Sequence, residues 1–336
     1  MSLPSLDVWR ERRSPERPPR LILGTMNFGK RTDEREAGRI VDRAIERGVT
    51  LLDTANVYVN GEGERILGRI LEHRRREVLV ASKVGLARIG GTDSGLMQSG
   101  GQSEGLSRER IVAACEESLR RLGTDVIDIY FLHAPDPKTP LEESLSALQT
   151  LLQAGKIRAF ATSNYASWQL LEIVTWCDQE GMPRPIFAHQ IYNLLVRQLD
   201  VEYFGFSAKY GMHTTAYNPL AGGMLTGKHR RGEPPAASRF DANPLYQKRY
   251  WSERVFAEVE AYAKLAERAG ITLIELGYAW LGTRPGVDSV IVGPGTVEHL
   301  DAALDAQAQR LDPETCRLAD AIYLEHQGTD ARYARL

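Results

Sequence analysis

Four residues with complementary acid–base chemistry end or follow apolar stretches of this 336-residue sequence: Asp53, Tyr58, Lys83 and His133. A tyrosine hydroxyl has a pKa of about 10, and a nearby ammonium group favours the phenolate and lowers that pKa. Lys83 would therefore activate Tyr58, while Asp53 would keep the Lys83 ammonium charged and oriented. His133 could hydrogen-bond the carbonyl oxygen of a substrate. The set predicts protonation of an oxygen atom while a second molecule supplies a hydride.

Each of these residues has an ordinary explanation when it is taken alone, as a turn residue, a solvated strand end, a satisfied histidine or a loop aromatic. Three of them, however, stand at the ends of successive apolar runs, TLLDT, VLVASK and VIDIYFLH. In a barrel of parallel strands the active site lies at the carboxyl ends of the strands. Tyr58 follows Asp53 by five residues and can reach the same place. The four residues together therefore predict one catalytic site.

Short β-type runs alternate with amphipathic runs of helical length along the chain. The predicted strands cover 20–24, 50–54, 78–83, 126–133, 158–163, 186–191, 213–218 and 289–293. The predicted helices cover 33–48, 63–74, 107–122, 140–154, 166–181, 196–211, 252–270 and 296–307. This alternation predicts an α/β protein with one domain, a closed (β/α)8 TIM barrel over residues 20–336 that includes a C-terminal tail. A doubly wound open sheet is the alternative, and it usually has fewer strands.

The composition argues against several other classes of protein. A net charge of −2 gives no electrostatic reason to expect nucleic acid or an anionic membrane as a partner. No apolar run reaches the roughly 18 residues of a transmembrane helix. Residues 1–19 are rich in Arg, Pro and Glu, which predicts a flexible arm rather than a signal peptide. Cys115, Cys177 and Cys316 lack metal-binding spacing, so we expect reduced thiols, no metal and a cytoplasmic protein.

Two long connections interrupt the alternation, residues 84–106 after the third strand and residues 219–251 after the seventh. Loops of this length inside a compact domain are usually functional lids or disordered, and in a barrel both would overhang the catalytic face. Residues 222–229, GGMLTGKH, nearly spell a phosphate-binding P-loop, but His229 stands where that motif needs Ser or Thr. The missing hydroxyl argues against an ATPase. No G-x-G-x-x-G follows a strand, which disfavours a Rossmann dehydrogenase.

Several motifs in this order resemble those of the aldo-keto reductases. They are D-T-A-x-x-Y at 53–58, G-x-x-E-x-x-L-G at 61–68, S-K at 82–83, L-H at 132–133, T-S-N at 162–164, H-Q-x-x-Y-N at 189–194 and Y-N-P-L-A-G-G-x-L-T-G-K at 217–228. The resemblance covers residues 20–310. The stretches SNYASW (163–168) and RYW (249–251) are similar to the aflatoxin-aldehyde/succinic-semialdehyde reductase branch in particular.

The resemblance implies a nicotinamide cofactor that lies extended across the barrel mouth. Ser163, Asn164 and Gln190 would hold its carboxamide, and Tyr217 would stack on the nicotinamide ring. The loop 219–228 would wrap the pyrophosphate, with Lys228 and Arg239 as cations. The last helix would receive the adenosine phosphate at its N-terminus. The full set of cofactor-binding positions is Gly24, Thr25, Met26, Asp53, Ser163, Asn164, Gln190, Tyr217, Asn218, Pro219, Leu220, Gly222, Gly223, Lys228, Arg239, Gly293, Gly295, Thr296 and His299.

The sequence departs from the family at the adenosine end. The family commonly has a Ser/Arg phosphate grip followed by Gln-Leu-x-x-Asn, whereas this chain has His299 at the Gln position and Ala303 at the Asn position. No Arg or Lys lies within 293–303 to pair with a 2′-phosphate. We expect NADPH as the cofactor, with NADH as the alternative.

The expected activity is the NAD(P)H-dependent reduction of an aldehyde or ketone, a small-molecule carbonyl substrate, to an alcohol. The alternatives are a reductase dedicated to a biosynthetic keto-sugar or polyketide and a non-catalytic sensor of the cofactor. Met26 and Asn27 are expected to line the pocket, and His189 is expected to point away from the mouth in a structural role. Arg332 and Arg335 in the C-terminal tail could hold a substrate carboxylate, or they could be solvated. The sequence leaves open whether the protein forms a homodimer.

Overall fold

Eight parallel strands close into a barrel in the computed structural model, which describes residues 3–86, 104–236 and 238–327. The strands are β1 (Arg20–Gly24), β2 (Leu51–Asp53), β3 (Leu79–Val84), β4 (Ile127–Leu132), β5 (Ile157–Ser163), β6 (Ala188–Ile191), β7 (Thr214–Tyr217) and β8 (Ser289–Val292). Each strand pairs with the next in the chain, and β8 closes the ring by pairing with β1. The predicted (β/α)8 TIM barrel is confirmed.

Eleven α-helices surround the barrel in the described part of the chain. They are α1 (Glu34–Glu46), α2 (Glu62–Leu71), α3 (Arg108–Leu122), α4 (Leu141–Gln153), α5 (Ser167–Gln179), α6 (Tyr203–Tyr210), α7 (Pro244–Tyr250), α8 (Glu253–Arg268), α9 (Leu273–Gly282), α10 (Val297–Ala308) and α11 (Pro313–Gln327). Among the described residues, no helix is long and apolar enough to cross a membrane.

Three of these helices, α7, α9 and α11, were not expected from the sequence. Helix α9 is largely buried, so its apolar residues surround it and leave no amphipathic stripe to detect. Helix α7 lies within the predicted loop 219–251, although Asn243 caps it and Pro244 is its first residue, a standard helix start. The predicted helix over 196–211 is shorter than expected, because a single 3-10 turn over Gln198–Asp200 precedes α6.

Alternation along the strands decides which side chains enter the barrel. The inward residues below the mouth are apolar and include Ile22, Leu51, Leu79, Ala81, Ile129, Phe131, Ala159, Ala161 and Phe187. Side chains two residues apart on a strand share a face, so the next inward residue after Leu51 is Asp53. The same step leads from Ala81 to Lys83 and from Phe131 to His133. The apolar interior therefore ends where the predicted site begins.

Residues 3–19 pack against the opposite, N-terminal end of the barrel, which differs from the flexible arm expected for residues 1–19. The Trp9 side chain is only 1% exposed, with its ring centroid 6.2 Å from those of Phe187 and His213. Arg13 is also buried, and its guanidinium donates hydrogen bonds to the carbonyls of Val287 and Arg284, each at 2.8 Å. The polar composition of the arm gave no sign of this buried aromatic residue, which packs with the apolar residues of the barrel interior.

Because Trp9 is fully buried, the Trp9→Ala variant is expected to lower the free energy of unfolding by about 3–5 kcal/mol. Urea denaturation measures this loss. Val8→Ala is the matched control, since Val8 is 42% exposed, and it should change stability by less than about 0.5 kcal/mol. Equal effects of the two substitutions would show that the N-terminal segment contributes no specific packing.

Candidate active site

The Asp53 and Lys83 side chains form a buried ion pair at the mouth of the barrel. Each residue is 2% exposed. The Lys83 ammonium donates one hydrogen bond to Asp53 Oδ1 and a second, at 2.7 Å, to the carbonyl oxygen of Thr54. Burial raises the pKa of the Asp53 carboxyl and lowers that of the Lys83 ammonium, while each charge opposes the shift of the other. The pair therefore needs both partners to stay ionised.

Tyr58 leans over this pair from a tight 3-10 turn, Tyr58–Gly61. Two residues of the turn, Val59 and Asn60, have positive φ angles of 48° and 54°. This conformation is costly for a β-branched residue, so the surrounding structure must hold the turn in place. Lys83 Nζ lies 5.2 Å from the centroid of the half-buried Tyr58 ring. The turn thus brings Tyr58 beside Lys83.

His133 completes the group from the end of β4. Its ring meets the Tyr58 ring edge-on, with 6.2 Å between centroids and 78° between planes. Burial lowers the pKa of His133 well below its usual value, and the Lys83 charge adds to that effect. The imidazole is therefore neutral near pH 7 and can donate from one nitrogen only. All four predicted catalytic residues thus lie together.

The pKa of Tyr58 departs from its expected direction. We expected Lys83 to lower it, but burial raises it well above its ordinary value, and the Asp53 carboxylate raises it further. Burial is the larger cause, and the Asp53 carboxylate acts in the same direction because its pairing with Lys83 keeps it close to the phenol. Tyr58 is consequently held as the protonated phenol, the form that a proton donor requires.

Two of the three residues expected to hold a carboxamide, Ser163 and Asn164, meet beside His133 together with Tyr217, the residue expected to stack on the ring. The Asn164 Nδ2 atom donates to the carbonyl oxygen of His133 at 2.9 Å and to the Ser163 hydroxyl at 3.0 Å. The Tyr217 hydroxyl donates to Asn164 Oδ1 at 2.6 Å. Burial raises the pKa of Tyr217 to about 12, so this donor keeps its proton. Gln190, the third residue expected to hold the carboxamide, does not join this group. Its Nε2 atom donates a hydrogen bond to the carbonyl oxygen of Tyr165 at 2.7 Å.

The first part of the loop after β7 folds back on itself at the rim. Asn218 and Ala221 have positive φ, as do Gly222 and Gly223, and Asn218 Oδ1 accepts a hydrogen bond from the Gly222 amide at 2.7 Å. The Ala221 amide also donates within the loop, to the carbonyl oxygen of Asn218 at 2.9 Å, and the Gly223 amide donates to that of Leu220 at 2.8 Å. The predicted rim residues Pro219, Leu220 and Lys228 belong to this loop, and the Lys228 side chain is exposed.

The same loop then reaches the loops that follow the nearby strands β8 and β1. Arg239 donates to Asn27 Oδ1 at 3.0 Å and contacts the Met26 sulfur at 3.5 Å. Asn27 in turn donates to the carbonyl oxygen of Gly293 at 3.0 Å. Arg239 thus joins the loop after β7 to those after β1 and β8. Thr25 lies beneath, its hydroxyl donating to the Asp53 carbonyl at 3.0 Å, and Gly24 pairs with Asp53 across the strands.

The residues expected to bind the adenosine end of the cofactor lie at the start of α10, and they are Gly295, Thr296 and His299. The Thr296 hydroxyl caps the helix by accepting from the His299 amide, and the His299 side chain is exposed. The amide of Val297 donates at 3.0 Å to the Glu36 carboxylate, which also pairs with Arg39 at 2.7 Å. A carboxylate therefore occupies part of this helix N-terminus.

Four residues contribute to the site in ways that the sequence did not predict. Helix α7 brings Tyr246 close enough to raise the pKa of Tyr58, and it brings Arg249 close enough to lower that of Tyr217. The Asn-Pro helix start was the local signal for this helix, and Arg249 also belongs to the RYW stretch. Glu36 reaches α10 from α1, and no spacing could show that. His189, expected to point away from the mouth, instead enters the barrel, with its Nδ1 atom 4.0 Å from Asp53 Oδ2.

Two expectations concern segments outside the described residues. Most of the loop after β3 falls in 87–103, and Arg332 and Arg335 fall in 328–336. At the edge of the first segment, the Glu104 carboxylate accepts hydrogen bonds from Asn56 Nδ2 at 2.7 Å and from the Gly85 amide at 2.9 Å. The described end of this loop is therefore tied to the mouth beside β2 and β3.

Fold and site together define a class of protein: a TIM-barrel with polar, titratable residues at the carboxyl ends of its strands, where such barrels carry their active sites. The family model for the aldo/keto reductases matches residues 20–324. The chain belongs to this family.

Curated relatives are similar over most of the chain. Aflatoxin B1 aldehyde reductase member 2 from Homo sapiens is 34% identical over 310 residues, 86% of this chain and 82% of the relative. Human aldo-keto reductase family 7 member A3 is 33% identical, covering 86% of this chain and 88% of the relative. A probable voltage-gated potassium channel subunit beta from Arabidopsis thaliana is 32% identical, covering 80% of each chain. Family membership supports an oxidoreductase that acts on carbonyl groups.

Proposed function

We propose that this protein reduces aldehydes or ketones to alcohols with a nicotinamide dinucleotide, and that Tyr58 is the general acid. One observation carries the proposal: Tyr58 stands over the buried Asp53–Lys83 pair, beside His133, at the mouth of the barrel. When bound, the dinucleotide supplies the hydride that reduces the carbonyl carbon. The chain's own residues supply the proton.

Each of the four residues has a distinct part in the proposed reaction. The Tyr58 hydroxyl gives its proton to the carbonyl oxygen as that oxygen gains negative charge. His133 donates a hydrogen bond that orients the carbonyl. The Lys83 ammonium stabilises the phenolate that Tyr58 becomes, and Asp53 holds that ammonium in place. Ser163 and Asn164 orient the carboxamide, and Tyr217 covers the ring.

For the dinucleotide we propose NADPH, with NADH accepted as well. The exposed Lys228 and the rim residue Arg239 provide two cations for phosphate groups. At the start of α10, the carboxylates of Glu36 and Glu298 would repel a 2′-phosphate. The cation Arg39 is paired there with Glu36. We therefore expect the preference for NADPH over NADH to be weak.

We infer a cytoplasmic location from the cysteines. Cys115, Cys177 and Cys316 lie on three different helices and form no disulfide in the described structure. Unpaired, buried cysteines are usual in a reducing compartment. Equal thiol counts in denatured protein with and without a reductant are the expected result.

The test measures oxidation of NADPH and NADH against succinic semialdehyde, a nitrobenzaldehyde, a diketone and a nucleotide-linked keto-sugar. The names of the reductases among the relatives lead us to expect the highest kcat/KM with one of the two aldehydes. Turnover of the keto-sugar alone would favour a dedicated biosynthetic reductase. Tight dinucleotide binding without any turnover would contradict the proposal and favour a sensor, the comparison that the channel-subunit relative suggests.

A further inference from the structure

His189 lies inside the barrel, one layer below the reacting groups. It is 1% exposed and belongs to β6. Its ring packs against two aromatic residues of the interior, with centroid distances of 4.2 Å to Phe131 and 5.2 Å to Phe187. The same Phe131 ring lies 5.5 Å from Lys83 Nζ. His189 therefore touches the apolar floor beneath the ion pair.

The Asp53 carboxylate uses only one of its oxygens for hydrogen bonding in the described structure. Oδ1 accepts from Lys83, whereas Oδ2 is buried and has no hydrogen-bond partner among the described residues. A buried, unsatisfied carboxylate oxygen is costly, so its surroundings call for an explanation. His189 Nδ1 lies 4.0 Å from this oxygen. That distance exceeds a hydrogen bond but allows a strong attraction between charge and dipole.

The imidazole of His189 is neutral, because burial lowers its pKa well below the usual value and Lys83, His133 and His213 lower it further. A neutral imidazole carries one proton, on either nitrogen. Nε2 is buried and has no partner among the described residues. The negative charge on Asp53 therefore favours the tautomer with the proton on Nδ1.

We propose that His189 is a positioning residue for the carbonyl reduction, acting through Asp53: its Nδ1–H points at Asp53 Oδ2 and keeps the carboxylate ionised and turned toward Lys83. This inference rests on the proposed function for its effect on turnover. Its electrostatic part does not, since it concerns the ionisation of Asp53 alone.

Two variants separate this role from simple packing. His189→Leu keeps apolar contact with Phe131 and Phe187 but removes the N–H donor. His189→Asn places an amide N–H near the position of Nδ1 but loses the aromatic packing. If His189 acts only through packing, His189→Leu should keep more of the wild-type kcat than His189→Asn. If His189 positions Asp53, the order of the two variants should be reversed. The thermal midpoint of unfolding records the packing effect separately.

In His189→Leu, kcat is expected to fall roughly tenfold while KM and the dissociation constant of the dinucleotide stay within about twofold. Without the donor the carboxylate of Asp53 is less stable, so its pKa rises and the acidic limb of the kcat profile moves to higher pH by about one unit. Among the described residues, the other titratable groups that face Asp53 are Lys83 and Tyr58, both unchanged in the variant, and His133 beside Tyr58 is unchanged as well. His189→Asn should restore the wild-type profile. An unmoved acidic limb in His189→Leu would overturn the proposal.

A second measurement does not depend on turnover. Selective 13C labelling of aspartate carboxyl carbons lets NMR follow the titration of Asp53, and Asp53→Asn identifies its signal. The titration is expected to shift upward in His189→Leu and to return in His189→Asn. Identical titrations in all three proteins would refute the role of His189, whether or not the enzyme turns over. A clear shift in a protein without turnover would instead contradict only the proposed function.

Discussion

Tyr58→Phe is expected to lower kcat for carbonyl reduction by at least about 10²–10⁴-fold, the contribution usual for a general acid. The substitution removes only the hydroxyl, so the ring keeps its edge-on contact with His133 and its place over Lys83. No other phenol in the described structure stands over the ion pair in this way, and the neutral His133 is a poor proton source. Steady-state kinetics with the most rapidly reduced aldehyde measures the loss.

Dinucleotide binding distinguishes a lost proton donor from a damaged site. Quenching of protein fluorescence should give a dissociation constant within about twofold of wild type for Tyr58→Phe, because the proposed binding residues are untouched. Tyr210→Phe on α6 removes an equivalent hydroxyl away from the mouth and serves as the control. A rate in Tyr58→Phe close to that of Tyr210→Phe would rule out Tyr58 as the acid.

Lys83→Met is expected to lower kcat by at least about 10²-fold, because the phenolate formed from Tyr58 loses the cation that lies over its ring. Methionine has a similar length and keeps apolar contact with Phe131. The substitution also leaves the buried Asp53 carboxylate without its partner cation. Removing one partner of such a pair typically costs about 3–5 kcal/mol of stability, so the folded fraction must be measured together with the rate.

The double variant Asp53→Asn, Lys83→Met separates chemistry from folding. It removes both buried charges, so its free energy of unfolding should recover relative to Lys83→Met, while its kcat should stay low. Urea denaturation and single-turnover rates check the two effects on the same preparations. Recovery of the rate along with the stability would show that Lys83 contributes only through folding.

The barrel and its reacting groups follow closely from local sequence pattern. All eight strands were predicted within a few residues of their observed bounds, because buried parallel strands are short apolar runs between amphipathic helices. The two-residue period of a strand then carries the inward apolar face directly onto Asp53, Lys83 and His133. Helix α9 was missed for the opposite reason, since a helix that is mostly buried loses the periodic pattern.

The amino-acid sequence by itself thus determined the closed barrel, the order of its strands and the chemical types of the residues at its mouth. Only the tertiary structure decided how those residues influence one another. It paired Asp53 with Lys83 and buried Tyr58 above them, so that the pKa of Tyr58 is raised rather than lowered. It also placed Trp9 in the far end of the barrel and His189 against Asp53. These features depend on burial and on distances between residues far apart in the chain, which spacing along one strand or helix does not encode.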